Sequence, residues 1–112
     1  MNAASIPVLR PPREVTADNV AAFEAELVVH LQATGPGLVL DLEQVEFISS
    51  SGLGLIVKYG MRLDGQERRI AMARADRVVE KTIRLLGLDR KLPIYRSLEE
   101  ATAYVAGAAL AG

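Results

Sequence analysis

Apolar and polar positions along the chain alternate between short unbroken apolar runs and longer stretches of helical period. Leu38-Val39-Leu40-Asp41-Leu42 is almost continuously apolar, as expected of a strand covered on both faces. From Leu53 the period changes, and Leu53, Ile56, Val57, Gly60 and Leu63 fall on one side of a helix placed over 51–63. This helix ends near Asp64-Gly65. Between strand and helix, Glu43 to Ile48 reads as a short connection with a second extended piece, and Ser49-Ser50-Ser51-Gly52 marks the junction. Leu55 and Tyr59 lie four apart and away from the face built on Leu53, Ile56 and Val57. Two roles suit them: burial against a neighbouring element, or an exposed apolar strip beside the serines, flanked by Lys58 and Arg62.

The same pattern extends in both directions. Ile6 to Arg10 reads as a short first strand that Pro7, Pro11 and Pro12 confine to an edge. Thr16 or Asp18 is placed as the cap of a helix over 17–33, with Val20, Phe23, Leu27, Val28 and Leu31 inward and Gly35-Pro36-Gly37 as its stop. Arg69 to Ala73 is a further strand. Asp76 to Leu86 is a helix with Val79, Ile83 and Leu86 inward, ended by Gly87. Lys91 to Tyr95 is a last edge strand, and Ser97 with Glu100 forms a capping box for a helix that frays from Gly107. Alternating strands and helices predict an α/β sandwich, with helices covering a mostly parallel sheet.

Composition narrows the picture. The 112 residues, 50% of them apolar, suit one domain with a core over about 6–106. A net charge of −1 with interspersed signs gives no electrostatic reason to expect nucleic-acid or membrane binding. The absence of cysteine excludes disulfides and thiolate metal sites and is simplest to reconcile with a cytoplasmic location. The start of the chain lacks the pattern of a signal peptide, and no apolar run is long enough to span a bilayer.

The serine junction is the place where chemistry concentrates. A serine hydroxyl caps a helix by accepting from its first free amides, and those amides with the helix dipole also favour an anion, including a phosphate carried by a serine. Catalytic readings fare worse. No Gly-x-Ser-x-Gly elbow is present, and His30, the only histidine, lies on a helix with no partner cue. Gly52-x-Gly54 lacks the remainder of a phosphate loop, and Glu43 with Glu46 lacks a third metal ligand. Arg68-Arg69 and Arg74/Arg77 read as solvated surface. Neither enzymatic activity nor a cofactor is expected.

The run Asp41-Leu42-Glu43-Gln44-Val45-Glu46-Phe47-Ile48-Ser49-Ser50-Ser51-Gly52-Leu53-Gly54 resembles the signature of the STAS domain family, the sulphate-transporter and anti-sigma-factor-antagonist domains. The resemblance implies a STAS-like sandwich of four to five mixed, mostly parallel strands and about four helices, with a trimmed N-terminal edge. It implies an anti-sigma factor antagonist acting as a monomer. In the unphosphorylated state it would bind an anti-sigma factor whose histidine-kinase-like ATP-binding domain is also a serine kinase, and so release a sigma factor. Phosphorylation at Ser50 would switch binding off, and a serine phosphatase would restore it. The position most often acidic in the antagonists is Ser49 here, which makes Ser49 a second candidate acceptor. The implied partner surface comprises Ser49, Ser50, Ser51, Gly52, Gly54, Leu55, Lys58, Tyr59 and Arg62. Two other roles known among STAS domains are a constitutive adaptor of a lipid-transport ATPase and a nucleotide-sensing module.

Overall fold

The computed structural model describes residues 6–32 and 35–111. The long apolar run forms β3 (Gly37–Asp41), every residue of which is buried. It lies between β1 (Val8–Leu9) and β5 (Arg69–Ala73), and β6 (Ile94–Tyr95) closes the other edge, giving the order β1-β3-β5-β6. All of these pairings are parallel, with Val8 opposite Val39, Leu40 opposite Met72 and Met72 opposite Ile94. Gly37 is required at its position: its φ is +148°, and a Cβ there would lie 1.7 Å from the Arg69 carbonyl oxygen.

A sheet wound in one direction sends its crossover helices to one face. Those helices are α1 (Val20–Gln32), α2 (Ser50–Asp64) and α3 (Arg77–Leu85). Phe23, Leu27, Leu53, Ile56, Leu63, Val79 and Ile83 pack with the strand residues Leu38, Leu40, Ile70 and Met72. The alternate strand residues Val39, Ala71 and Ala73 face the other way, onto Ala101 and Val105 of α4 (Leu98–Ala111). Alternation along two parallel strands thus builds two cores, and burial on both faces explains the unbroken apolar run of β3.

Several boundaries depart from the sequence reading. β2 (Glu14–Val15) was absent from it, and pairs in parallel with β4 (Phe47–Ile48) as a separate two-stranded ribbon. Neither Thr16 nor Asp18 caps α1. Residues 17–19 form a turn instead, in which Thr16 Oγ1 accepts from the Asp18 N–H and the Asn19 side chain accepts from the Thr16 N–H and donates to the Glu14 carbonyl. The helix therefore begins three residues late, and its expected end at residue 33 lies outside the described residues. Leu86 points outward at 59% exposure because α3 has already ended and the chain turns through Gly87 at φ +73°. α4 does not fray at Gly107 but continues to Ala111.

Candidate functional site

The serine turn lies where β4 meets α2, at the carboxyl ends of the parallel strands, the usual place for function in an open α/β sheet. Ser49 is the N-cap, with φ −72° and ψ 167°. Its N–H donates to the Val15 carbonyl at 2.8 Å, its Oγ accepts from the Gly52 N–H at 3.2 Å, and its carbonyl accepts from the Leu53 N–H at 3.0 Å. Its hydroxyl also lies 2.9 Å from that of Ser51. Ser49 is thus half-buried and fully engaged in holding the turn. Ser50, the first residue of the helix, is exposed, and its hydroxyl has no hydrogen-bond partner among the described residues. The first turn of α2 carries no acidic side chain of its own to offset its positive end.

The two glycines separate into different roles. Gly52 is buried, and a Cβ on it would come within 2.8 Å of Val15 Cγ1 and 2.9 Å of Ile48 Cγ2. It lets α2 start against the β2–β4 ribbon and faces inward, away from any partner. Gly54 is exposed, with open space around its Cα.

Further along α2, Leu55 is half-buried against the core, while Lys58 and Arg62 are exposed. Tyr59 does not form an exposed strip with Leu55. It is 7% exposed because α1 covers it, and its hydroxyl donates to Glu24 Oε2 at 2.7 Å. That bond holds the Glu24 carboxyl below its ordinary value and pushes the Tyr59 phenol up. Lys58 Nζ lies 3.5 Å from the same carboxylate, and Lys58 and Arg62 approach the Tyr59 ring at 5.3 and 5.2 Å. The two cations thus stand on the surface over a buried phenol that fixes where they sit.

Where β3 and β5 end, the structure assembles a cluster that the sequence reading missed. Asp41 ends β3 fully buried, and Arg74, directly after β5, grips both its oxygens at 3.1 and 2.7 Å. Arg10 reaches Asp41 Oδ2 at 3.1 Å, and the Glu43 N–H donates to Oδ1. Burial pushes the Asp41 carboxyl up, but the Arg74 fork, the Glu43 amide and the two guanidinium charges outweigh it and hold the group below its ordinary value. Arg74 adopts φ +60°, unusual for a residue with a side chain. Arg74 is therefore no solvated cation. Nor is Arg68, which donates to the Gly35 and Leu31 carbonyls, nor Arg69, which donates to the Tyr104 carbonyl and stacks on its ring. The available signal was Asp41 itself, since a carboxylate within a buried strand run needs a cation.

His30 Nδ1 lies 2.8 Å from the Glu26 carbonyl within its own helix. Among the described residues no cluster of His, Asp or Glu has metal-ligand geometry, and no helix is long and apolar enough to cross a membrane.

The STAS domain model matches residues 3–101. The chain belongs to the STAS domain family. A curated member, the anti-sigma-F factor antagonist RsfB of Mycobacterium tuberculosis, is 30% identical over 103 residues, covering 91% of this chain and 83% of RsfB. The crystal structure of an anti-sigma factor antagonist from Mycobacterium paratuberculosis is 29% identical, with a TM-score of 0.78 over 88% of this chain and 83% of that one. A STAS domain protein of Planctomyces limnophilus shares the fold at 23% identity, with a TM-score of 0.80 over 90% and 91% of the two chains. The STAS sandwich, here four α-helices with strands paired in parallel throughout the described residues, is therefore the fold of this chain.

Proposed function

We propose that this STAS domain is an anti-sigma factor antagonist whose binding surface runs along the exposed side of α2 from its N-terminus, switched by phosphorylation of Ser50. The observation that carries the reading is the division of labour between adjacent serines. Ser49 spends its hydroxyl on the cap, whereas Ser50 offers an exposed, unengaged hydroxyl at the positive end of the helix. RsfB, at 30% identity over nearly the whole chain, supports the functional class. The partner in this reading is an anti-sigma factor that is also a serine kinase using its own ATP, with a separate phosphatase reversing the mark. The domain is the substrate of that reaction and not its catalyst.

The physical logic is local. A phosphate on Ser50 adds about −1.5 to −2 charge where the helix dipole and first-turn amides tolerate it, so the fold survives. The docked partner, however, would have to desolvate that charge, which costs more than a neutral hydroxyl of the same position. Ser51, Gly54, Leu55, Lys58 and Arg62 extend the contact surface, with Gly54 letting a partner approach the helix start closely. Gly52 and Tyr59 support this surface from beneath.

The test is capture from the native host with wild-type protein beside Ser50→Asp, followed by phosphorylation of the wild type with the captured partner and ATP. The reading expects a kinase-like anti-sigma factor held by wild type and lost by the aspartate, with phosphate mapped to Ser50. Equal capture by both, above all of a transport ATPase, would establish a constitutive adaptor instead. Phosphate mapped to Ser49 would transfer the switch to the cap.

A further inference from the structure

We propose that the outward face of α3 is a second docking site, and that it takes an acidic segment of a protein partner anchored by an apolar side chain. Arg77 and Lys81 stand one turn apart on α3, and Arg96 approaches from the connection between β6 and α4. With Glu80, Arg84 and Leu85 they line an open cleft of about 450 Å³. Arg84 is already neutralised, at 2.7 Å from Glu80 Oε2 and 2.9 Å from Asp89 Oδ2. Arg77, Lys81 and Arg96 have no carboxylate at ion-pair distance among the described residues. Three unpaired cations thus converge on one cleft of a chain whose net charge is −1.

Apolar surface runs through the same face. Leu85 is 76% exposed and Val78 70% exposed, although nearby Val79 and Ile83 are buried. Thr82 spends its hydroxyl on the Val78 carbonyl and so presents its methyl. Val78 and Thr82 also wall a smaller cavity of about 90 Å³ with Phe47, itself half-exposed on β4. Cations around exposed aliphatic side chains complement carboxylates around an apolar anchor.

Other occupants fit less well. A nucleic-acid duplex needs a longer basic stripe, whereas this nine-residue helix is capped by Asp76, carries Glu80 and is followed closely by Asp89. Val78 and Leu85, with Leu86 just past the helix end, give a bilayer too little to bury. A second copy meeting this face through the same face would set cation against cation. This docking site is independent of the Ser50 switch.

The decisive experiment titrates the isotope-labelled full chain with a short acetylated peptide, rich in glutamate and carrying two leucines one helical turn apart. Amide shifts should concentrate on residues 77–86 and Arg96, and affinity should fall about tenfold or more between about 50 and about 500 mM salt. The double charge reversal Arg77→Glu/Lys81→Glu should abolish the shifts with the remaining spectrum unchanged, since both side chains are exposed. Leu85→Ser should weaken binding without altering charge, and Ser50→Asp should leave it intact. Shifts located elsewhere, equal binding by the charge-reversed variant, or engagement of this face by duplex DNA or phosphatidylglycerol vesicles in place of the peptide would overturn the proposal.

Discussion

At the scale of single residues, α2 opens with two glycines that sequence alone leaves equivalent. Packing separates them, because a methyl on Gly52 collides with Val15 and Ile48, whereas a methyl on Gly54 meets open space. Gly54→Ala should therefore stabilise the fold by about 1 kcal/mol through helix propensity, measured by urea unfolding. It should also weaken capture of the anti-sigma factor, because the new methyl stands on the proposed contact surface. A rise in stability with undiminished affinity would remove Gly54 from that surface. Gly52→Ala should destabilise by about 1–3 kcal/mol through overpacking. The serines pose a similar problem of sequence equivalence. The cluster was legible as a cap, but choosing the capping serine needed the extended backbone of Ser49 and the anchoring of its N–H to Val15. Ser49→Ala should cost about 1 kcal/mol in stability while leaving Ser50 available to the kinase, as a phosphorylation assay with the captured partner would establish.

At the scale of elements, a strong period specifies helices and strands closely, α2 and β5 above all. The failures follow from interactions that periodicity does not encode. β2 spans two residues and exists because β4 pairs with it, and α1 starts late because the Asn19 side chain turns back onto Thr16 and Glu14. Tyr59 kept helical spacing whether exposed or buried, and only the approach of α1 decided between the two. The Asp41–Arg74 fork joins the ends of β3 and β5 and, through the Glu43 amide, fixes the start of the loop that leads to the serines. Arg74→Ala leaves a buried carboxylate with only Arg10 as an ionic partner, and should destabilise by about 3 kcal/mol. Chemical denaturation beside wild type measures it. A change under half that size would mean that the fork contributes little.

At the scale of the whole molecule, pH adds a check on the same fork. The Asp41 value is depressed by folding, so its stabilising contribution is full above the unfolded value of about 4 and is lost as pH falls through the folded value. The gap between wild type and Arg74→Ala should accordingly be widest near neutrality and narrow in acid. Tyr95 responds at the opposite end of the scale. Burial raises its phenol, so its contribution is present below about pH 10 and lost as pH rises through the folded value. The architecture itself was visible from the alternation of runs and periods, because β3 reads as apolar only if both faces of the sheet are covered. The exposed cations of α3 were part of the same sequence but could not be sorted from Arg68, Arg69 and Arg74 until the folded chain engaged those three. Control of partner binding by charge at Ser50 can be measured by titrating the captured anti-sigma factor with wild-type, Ser50→Ala and Ser50→Asp proteins of equal stability. Ser50→Ala should bind nearly as tightly as wild type, and Ser50→Asp at least about tenfold more weakly, a difference of about 1.4 kcal/mol. Equal affinity across all three would mean that charge at Ser50 does not control binding.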